Sequence, residues 1–413
     1  MKDQIIAHLN DPKQLERLYR EDKPAFKRAF NTVYPQFAGD PLVSFWNERL
    51  NFAKDEISWG TRNDLIFVMV IALIAGLIAK LPAIFAINEE FFYPRNIGFI
   101  VFPALTAFFV WKNNLTPRKI GLVGAMMLAG ALFINFLPDD QTSDTLVLSC
   151  IHMVLFLWCV LGFGFVGDFG NDNEKRLGFL KYNGDLLVMT ALIVIAGGIM
   201  TGITIGLFAV IGIRIEEFWF KNIVVFGLPA APIFGTYLTR SNPGLVGKVS
   251  PVIAKIFSPL VLVMLVIYLG AMVYSGKDPY NDREFLLIFN VLLIGVMAII
   301  FFSVAESSKT KSVTELWVLF LLSVVTIVVN GIALSAIIFR IAEWGITPNR
   351  AAVLGSNLLI LINLVLVTVQ LFRMLSKKPS VTGVGKAITI YLPVYFIWTV
   401  IVTFLFPLIF GFK

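Results

Sequence analysis

Two copies of one sequence pattern decide how this chain folds. The first copy contains DLIFVM at 64–69, AG at 75–76, EEFFY at 89–93, RNI at 95–97 and FPA at 102–104. The second contains, in the same order, DLLVM at 185–189, AG at 196–197, EEFWF at 216–220, KNI at 221–223 and LPA at 228–230. Each copy is typical of a long apolar helix, an acidic and aromatic turn, a basic residue followed by Asn, and a shorter apolar helix with a proline. The shared order predicts a direct internal repeat.

The composition excludes a soluble protein. Hydrophobic residues make up 57% of the 413-residue chain and charged residues only 15%. Apolar runs of about 18 residues or more recur from Asp64 onward, long enough to cross a hydrocarbon core of about 30 Å. We therefore predict an all-α, polytopic membrane protein that does not bind nucleic acid. The net charge of +7 fits lysines and arginines that face anionic lipid, so membrane lipids are the expected partners.

About eleven transmembrane helices are expected after residue 60. They lie near 64–87, 97–111, 119–137, 144–166, 185–212, 223–239, 251–274, 285–305, 314–339, 351–373 and 386–411. With this count both copies of the pattern cross the membrane in the same direction. The prediction is a first membrane repeat of four helices at 61–170, a second of four helices at 171–312, and a three-helix unit at 313–413. Lys and Arg are more frequent in the loops that face inside when the N-terminus is cytoplasmic, which puts the C-terminus outside.

Residues 1–60 are predicted to form a small cytosolic module of amphipathic helices. Asp11-Pro12 and Asp40-Pro41 mark helix starts, and Phe26, Phe30 and Trp46 are among the large side chains that recur at helical spacing. Two interpretations stay open. The apolar faces pack on each other as a three-helix cap, or the Phe and Trp side chains lie in the bilayer interface. Such a module would also suit the binding of a cytosolic protein partner.

The paired acids of the two copies are the first candidates for a solute path. Glu89, Glu90, Glu216 and Glu217 are each followed by aromatic residues and a cation. One interpretation is an interfacial belt, with aromatic rings at headgroup depth and carboxylates in water. The other is that the two acidic turns flank one outer vestibule for a cation or a cationic solute.

Prolines in the two short helices are the second candidates. Pro103, Pro229 and Pro232 remove backbone hydrogen bonds, and interrupted helices of transporters line binding sites with the carbonyls freed in this way. The alternative is a kinked helix with a packing role only. The glycines at 197, 198, 202 and 206 predict a close approach of the helix at 185–212 to the helix at 223–239.

Polar residues inside apolar helices are the third candidates. His152 lies within the predicted helix at 144–166, where an ionisable residue is a functional candidate, although a neutral histidine bonded to a carbonyl explains it equally well. Asn290 is one of several asparagines in such helices, with Asn135, Asn330, Asn357 and Asn363. These amides predict either packing contacts between helices or a polar, uncharged path.

The segment RIAEWGITPNR at 340–350 is a separate candidate site. In one interpretation Glu343 pairs with an arginine and locks a turn before the next helix. In the other, Arg340, Glu343 and Arg350 beside a helix N-terminus bind an anionic headgroup or a phosphate.

This segment and FSPL at 257–260 resemble a bacterial membrane family of unknown function, domain-of-unknown-function family 4153. Trp344 stands where the family usually has Tyr, and Ile346 where it has Leu. The resemblance covers about the C-terminal two-thirds of the chain, and the N-terminal module looks like the version found in Bacteroidetes-type bacteria. It implies a polytopic protein of the bacterial inner membrane. The family has no known reaction, so it implies no catalytic residues.

Two functions are compatible with these patterns, and neither is enzymatic. No hydrolase elbow, Walker loop or zinc-protease motif is present, and no catalytic residue, cofactor or metal site is expected. Cys150 and Cys159 lie on one predicted helix, too far apart for a disulfide. The first function is a transporter or permease-like protein with a solute or ion path between the repeats. The second is a non-transporting scaffold or envelope sensor that binds a partner through residues 1–60. Faces rich in Gly and Ala also suit a homo-oligomer.

Overall fold

The chain divides into two compact units, Met1–Ser58 and Trp59–Lys413. A computed structural model describes residues 2–37, 39–51, 61–140, 142–167, 172–210, 213–242, 249–275, 280, 283–306, 313–376 and 382–413. The predicted boundaries near residues 60, 170 and 312 fall in the gaps between these ranges. Every regular element within the ranges is helical, which confirms the all-α class.

Short helices build the described part of the N-terminal unit. They are α1 Lys2–Ala7, α2 Pro12–Glu21, α3 Lys23–Val33, the 3-10 turn Tyr34–Gln36 and α4 Pro41–Asn51. Asp11 accepts hydrogen bonds from the backbone N–H groups of Lys13 and Gln14 at the start of α2, and Asp40 caps α4 in a similar way. These contacts confirm the two predicted helix starts, whereas α1 is not among the predicted helices.

The aromatic side chains of this unit pack on each other. Phe26 and Phe30 are fully buried, and Trp46 is 2% exposed. The Trp46 ring centroid lies 5.3 Å from that of Phe26 and 5.6 Å from that of Tyr19. Internal packing therefore accounts for these three buried rings, while Phe45 on the same helix is 59% exposed.

Glu16 joins α2 to α4 and makes the unit sensitive to pH. Its carboxylate accepts a hydrogen bond from Arg20 Nε at 2.9 Å and forms an ion pair with Arg49 at 2.8 Å. The hydrogen bond from Arg20, together with the charge of Arg49, lowers the pKa of Glu16. A carboxyl with a lowered folded-state pKa stabilises the fold fully above its unfolded-state pKa, and this contribution is lost as the pH falls through the folded-state value.

We expect acidification to weaken the wild-type unit more than the Glu16→Gln variant, by at most about 1 kcal/mol because the pair is partly solvated. Limited proteolysis of residues 2–51 in the full-length protein, measured between about pH 6 and pH 3, reads out this difference. An identical pH dependence of the two proteins would show that Glu16 makes no such contribution.

Long helices build the second unit. They are α5 Arg62–Phe85, α6 Glu89–Lys112, α7 Pro117–Phe136, α8 Asp144–Val166, α9 Asn173–Val210, α10 Glu216–Ser241, α11 Val249–Ser275, α12 Arg283–Glu306, α13 Val313–Trp344, α14 Pro348–Ser376 and α15 Thr382–Val400. Helix α10 contains a π-helical turn at Phe220–Val224. Helix α15 continues through another, Ile401–Leu405, to a last turn at Phe406–Ile409.

Nine helices in the described ranges are long and apolar enough to cross a membrane, namely α5 to α10 and α13 to α15. The chain is therefore a multi-pass membrane protein. In α11 and α12 the apolar stretches Ile256–Gly270 and Phe289–Ala305 are shorter. The expected number of about eleven transmembrane helices requires both of these to cross as well, so that number stays a prediction.

Prolines do not interrupt α6 or α10. Pro103 lies inside α6, and Pro229 and Pro232 lie inside α10. The predicted short helices at 97–111 and 223–239 are therefore wrong at their starts, because α6 begins at Glu89 and α10 at Glu216. The acidic residues form first turns of helices rather than separate turns. A segment in hydrocarbon must satisfy its own backbone groups, which favours a continuous helix even where proline removes one bond.

The glycines of α9 do not mediate the predicted close approach. A Cβ placed on Gly197, Gly198, Gly202 or Gly206 would meet open space among the described residues. The first half of α9 packs against α10 instead, where a Cβ on Gly235 would lie 3.1 Å from the Thr190 hydroxyl oxygen.

Apolar clusters hold the helices together, and two of them are larger than the others. One gathers side chains of α5, α6, α8, α9 and α10, with Leu105, Phe108 and Ile233 among the most buried. The other lies mainly among α12, α13, α14 and α15, with Leu293, Leu322 and Leu364 fully buried. The first core contains helices of both copies of the pattern, so it is where a path between the repeats would run.

Candidate functional site

The interface between α5 and α10 joins the two copies of the repeated pattern. At one end, called the acidic end here because Glu89 and Glu217 lie there, Lys80 Nζ of α5 donates a hydrogen bond to Asn222 Oδ1 of α10. Lys221 pairs with Glu217 at 2.5 Å and also interacts electrostatically with Glu89 of α6. One acidic residue of each copy therefore acts on the same lysine, Glu217 through an ion pair and Glu89 through a weaker electrostatic interaction.

The four candidate glutamates occupy first turns of helices. Asn88 accepts a hydrogen bond from the Glu90 N–H at 2.8 Å, which caps α6. Carboxylates at a helix N-terminus are stabilised by the helix dipole. Glu89, Glu90 and Glu217 are exposed, and Glu216 is half-buried. Capping and dipole effects explain acids at these positions, but they do not explain why the acids of the two copies converge.

The opposite end of the interface, called the Asp64 end, is also polar. Asp64 of α5 pairs with Lys112 of α6 at 2.8 Å, and its second oxygen accepts from the Thr61 N–H at 3.3 Å. On the second copy, the hydroxyls of Tyr182 and Thr236 lie 2.8 Å apart. These contacts place hydrogen-bonding groups from both copies at this end.

Prolines 229 and 232 face different environments. Pro229 is buried, and Pro232 is half-buried with its carbonyl accepting a hydrogen bond from Thr236 Oγ1 at 2.9 Å. Pro103 is half-buried in α6. The Tyr182–Thr236 pair therefore ends on the carbonyl of Pro232, which links a proline of α10 to α9.

Apolar groups close the interface between its two polar ends. Ala75 and Ile233 are each 1% exposed. A Cβ added to Gly76 would overlap the Phe226 ring, so α5 and α10 approach closely at this level. The arrangement is an apolar middle with polar groups at both ends.

Arg95 has a structural role that the sequence analysis did not assign. It is 3% exposed and donates to the carbonyls of Ile134, Leu137 and Pro138 at 2.9, 3.2 and 3.2 Å. It also pairs with Asp139 at 3.0 Å. The last carbonyls of a helix have no partner within it, so Arg95 caps the end of α7. The sequence signal that could have indicated this role is a cation within an aromatic, apolar helix segment.

Asn96 and Asn135 form a reciprocal amide pair. Asn96 Nδ2 donates to Asn135 Oδ1 at 2.8 Å, and Asn135 Nδ2 donates back to Asn96 Oδ1 at 2.9 Å. Both amides are satisfied by each other, which fits packing of α6 on α7 rather than a path.

His152 and Asn290 lie away from the α5–α10 interface. His152 is 9% exposed, and its Nδ1 lies 2.9 Å from the Leu148 carbonyl, which requires a proton on Nδ1. Asn290 accepts from Asn357 Nδ2 at 3.0 Å, and Asn330 Nδ2 donates to the Asn357 carbonyl at 3.1 Å. These contacts link α12, α13 and α14 and are separate from the acidic residues.

The segment at 340–350 is locked by Arg350 and not by Glu343. Arg350 donates to the carbonyls of Trp344 and Gly345 at 2.9 and 2.7 Å, capping the end of α13. Arg340 donates to the Tyr280 carbonyl at 2.8 Å. Glu343 is exposed and has no ion pair with any described residue, so the expected arginine–glutamate pair is wrong there. Carbonyl oxygens at the helix end compete better for Arg350 than a solvated carboxylate.

The whole chain was compared with profiles of protein families, with curated proteins and with solved structures. None of the three comparisons finds a match. The family resemblance of the 340–350 segment therefore stays a prediction.

The structure thus brings some predicted site residues together and leaves others apart. Glu89, Glu217, Pro229 and Pro232 belong to the helices of the α5, α6, α9 and α10 cluster, whereas Asn290 and the segment at 340–350 lie on helices of the other core. No group of three or more His, Cys, Asp or Glu side chains placed to hold a metal occurs in the described residues.

Proposed function

We propose that the membrane unit is a transporter or permease-like protein whose solute or ion path runs between α5 and α10. The observation that supports it most is the distribution of polarity along this interface. Polar and charged groups of both copies gather at the acidic end and at the Asp64 end, and apolar residues separate them. In alternating access, such an interface opens first at one end and then at the other. The arrangement described here is closed at its middle.

We further propose a location in the bacterial inner membrane, with the N-terminus cytoplasmic and the C-terminus periplasmic. The resemblance to family 4153 supports the location, and the charge of the loops supports the orientation. Membrane lipids surround the exposed apolar faces. The solute is an ion or small polar molecule, since the ends of the interface carry charges of both signs.

Accessibility of single cysteines tests the path. Cysteines replace Ala75 and Ile233 at the closed middle, and Leu73 and Leu228, each 56% exposed, serve as lipid-facing controls on the same helices. Cys150 and Cys159 are first replaced by alanine. A thiol reacts as its thiolate, which forms in water and not in lipid. We expect a membrane-impermeant reagent to label the two path positions about tenfold faster than the controls. Equal rates at all four positions would contradict the proposal.

A scaffold or sensor function remains the second proposal, because residues 2–51 have a hydrophobic core of their own. The exposed Phe45 ring would then contact a cytosolic partner. This function predicts that deleting residues 2–51 abolishes activity in cells while membrane insertion is preserved. In the transport proposal the same deletion leaves cysteine labelling at Ile233→Cys unchanged.

A further inference from the structure

Asp185 is a buried carboxylate with no ion pair to any described residue. It lies on α9 and is 7% exposed, and its Oδ1 has no hydrogen-bond partner among the described residues. The matching residue of the first copy is Asp64, which is 9% exposed and pairs with Lys112. The two aspartates start the same sequence motif, yet within the described ranges only Asp64 is paired.

The sequence of the second copy explains this difference. Lys112 lies 16 residues after Asn96 in the first copy. In the second copy, the residue 16 positions after Asn222 is Leu238. The second copy therefore has an apolar residue where the first has the lysine that neutralises its aspartate. Two otherwise similar sites differ in charge by one cation.

Other cations do not replace this lysine in the described structure. Lys181 lies one helical turn before Asp185 on α9, but no ion pair or hydrogen bond joins the two side chains. The guanidinium of Arg240 lies 5.7 Å from the Phe109 ring centroid and 5.3 Å from that of Phe165, so it is held by rings of α6 and α8. Tyr182 is bonded to Thr236. On the helices packed against α9, the other titratable residues toward the same end are Cys159, Tyr237, Lys255, Glu306, Lys386 and Tyr391. The side chains of Lys255 and Glu306 lie outside the described residues. No hydrogen bond or ion pair joins a described member of this set to Asp185.

We propose that Asp185 binds a monovalent cation, a proton or Na⁺, as the coupling ion of the membrane unit. An ionised carboxylate buried without a partner is strongly destabilised, and a bound cation removes that cost. The cation binds at Asp185 Oδ1 from one side and leaves to the other as the interface opens. The site rests on the proposed transport function, because only an opening between helices gives the ion access from both sides.

Carbodiimide modification of the full-length protein in lipid vesicles tests proton binding. A neutral carbodiimide reacts with a protonated carboxyl: the proton moves to the carbodiimide nitrogen and the carboxylate oxygen bonds to its central carbon. We expect adducts at Asp185 about tenfold more abundant than at Asp64, measured by peptide mass spectrometry. The Lys112→Leu variant, which removes the counter-ion of Asp64, should then label at Asp64 as well.

Sodium binding is tested by thermal unfolding. NaCl should raise the Tm of the wild type by several degrees relative to choline chloride at equal ionic strength, and this rise should be lost in Asp185→Asn. Preferential carbodiimide labelling of Asp185 identifies the proton as the bound cation. The Na⁺-dependent rise in Tm identifies Na⁺ as the bound cation. If labelling of Asp185 equals that of Asp64 and Tm is insensitive to Na⁺, the inference is overturned. Both readouts are independent of the cysteine labelling at Ala75 and Ile233, so this site and the path between α5 and α10 can fail separately.

Discussion

Replacing Arg95 with alanine is expected to destabilise the membrane unit by about 3 kcal/mol. Arg95 is 3% exposed and its guanidinium satisfies three carbonyls at the end of α7. Alanine would leave these carbonyls without partners inside the protein and open a cavity beside the Phe91 ring, 4.3 Å from the guanidinium carbon. Thermal unfolding of the detergent-solubilised protein, followed by the thiol reactivity of the half-buried Cys150 and Cys159, measures the loss.

The repeat supplies a matched control for this variant. Lys221 holds the same place in the second copy, but it is exposed and its ion pair is with another exposed side chain, Glu217. Lys221→Ala should therefore change the unfolding free energy by no more than about 0.5 kcal/mol. If the two variants destabilise the protein equally, the capping role of Arg95 is wrong.

Replacing Trp46 with alanine is expected to unfold the N-terminal unit. Truncating a buried Trp costs about 3–5 kcal/mol, and a unit of this size has a total stability of only a few kcal/mol. The Trp46 ring contacts Tyr19, Phe26 and Phe30, so its loss opens the centre of the core. Limited proteolysis of the full-length protein should then cut within residues 2–51 at low protease concentration, while the membrane unit stays intact.

Phe45→Ala is the control for Trp46→Ala. The two residues are neighbours on α4, but Phe45 is 59% exposed. Its removal should leave the protease resistance of the unit unchanged. Resistance of Trp46→Ala equal to that of Phe45→Ala would mean that residues 2–51 do not depend on this core.

Local signals predicted much of the helical structure. Apolar length alone identifies the membrane-spanning helices, because no other segment satisfies its backbone in hydrocarbon. Asp11 and Asp40 identified helix starts because a cap acts over a few residues. The prolines were less informative: the rule that proline ends a helix applies in water, and Pro103 and Pro229 lie in helices that continue through them.

Contacts between distant residues could not be predicted in this way. The sequences around Arg95 and Lys221 are alike, yet one side chain is buried against the end of α7 and the other lies at the surface. Asp64 and Asp185 differ for the same reason, since Lys112, the partner of Asp64, lies on another helix. The repeat predicted which positions correspond, and tertiary packing decided which of them have partners.

The length of α9 has a consequence for the surrounding lipid. Its 38 residues extend about 57 Å, close to twice the thickness of a hydrocarbon core. A helix longer than the bilayer tilts or protrudes, and the angle depends on bilayer thickness. The second half of α9 exposes Ile195, Ile199 and Ile203 and is tied to α10 by a hydrogen bond from Trp219 Nε1 to Thr201 at 3.2 Å. A thinner bilayer would incline this half, and the strain would reach α10 through Trp219, next to its π-helical turn.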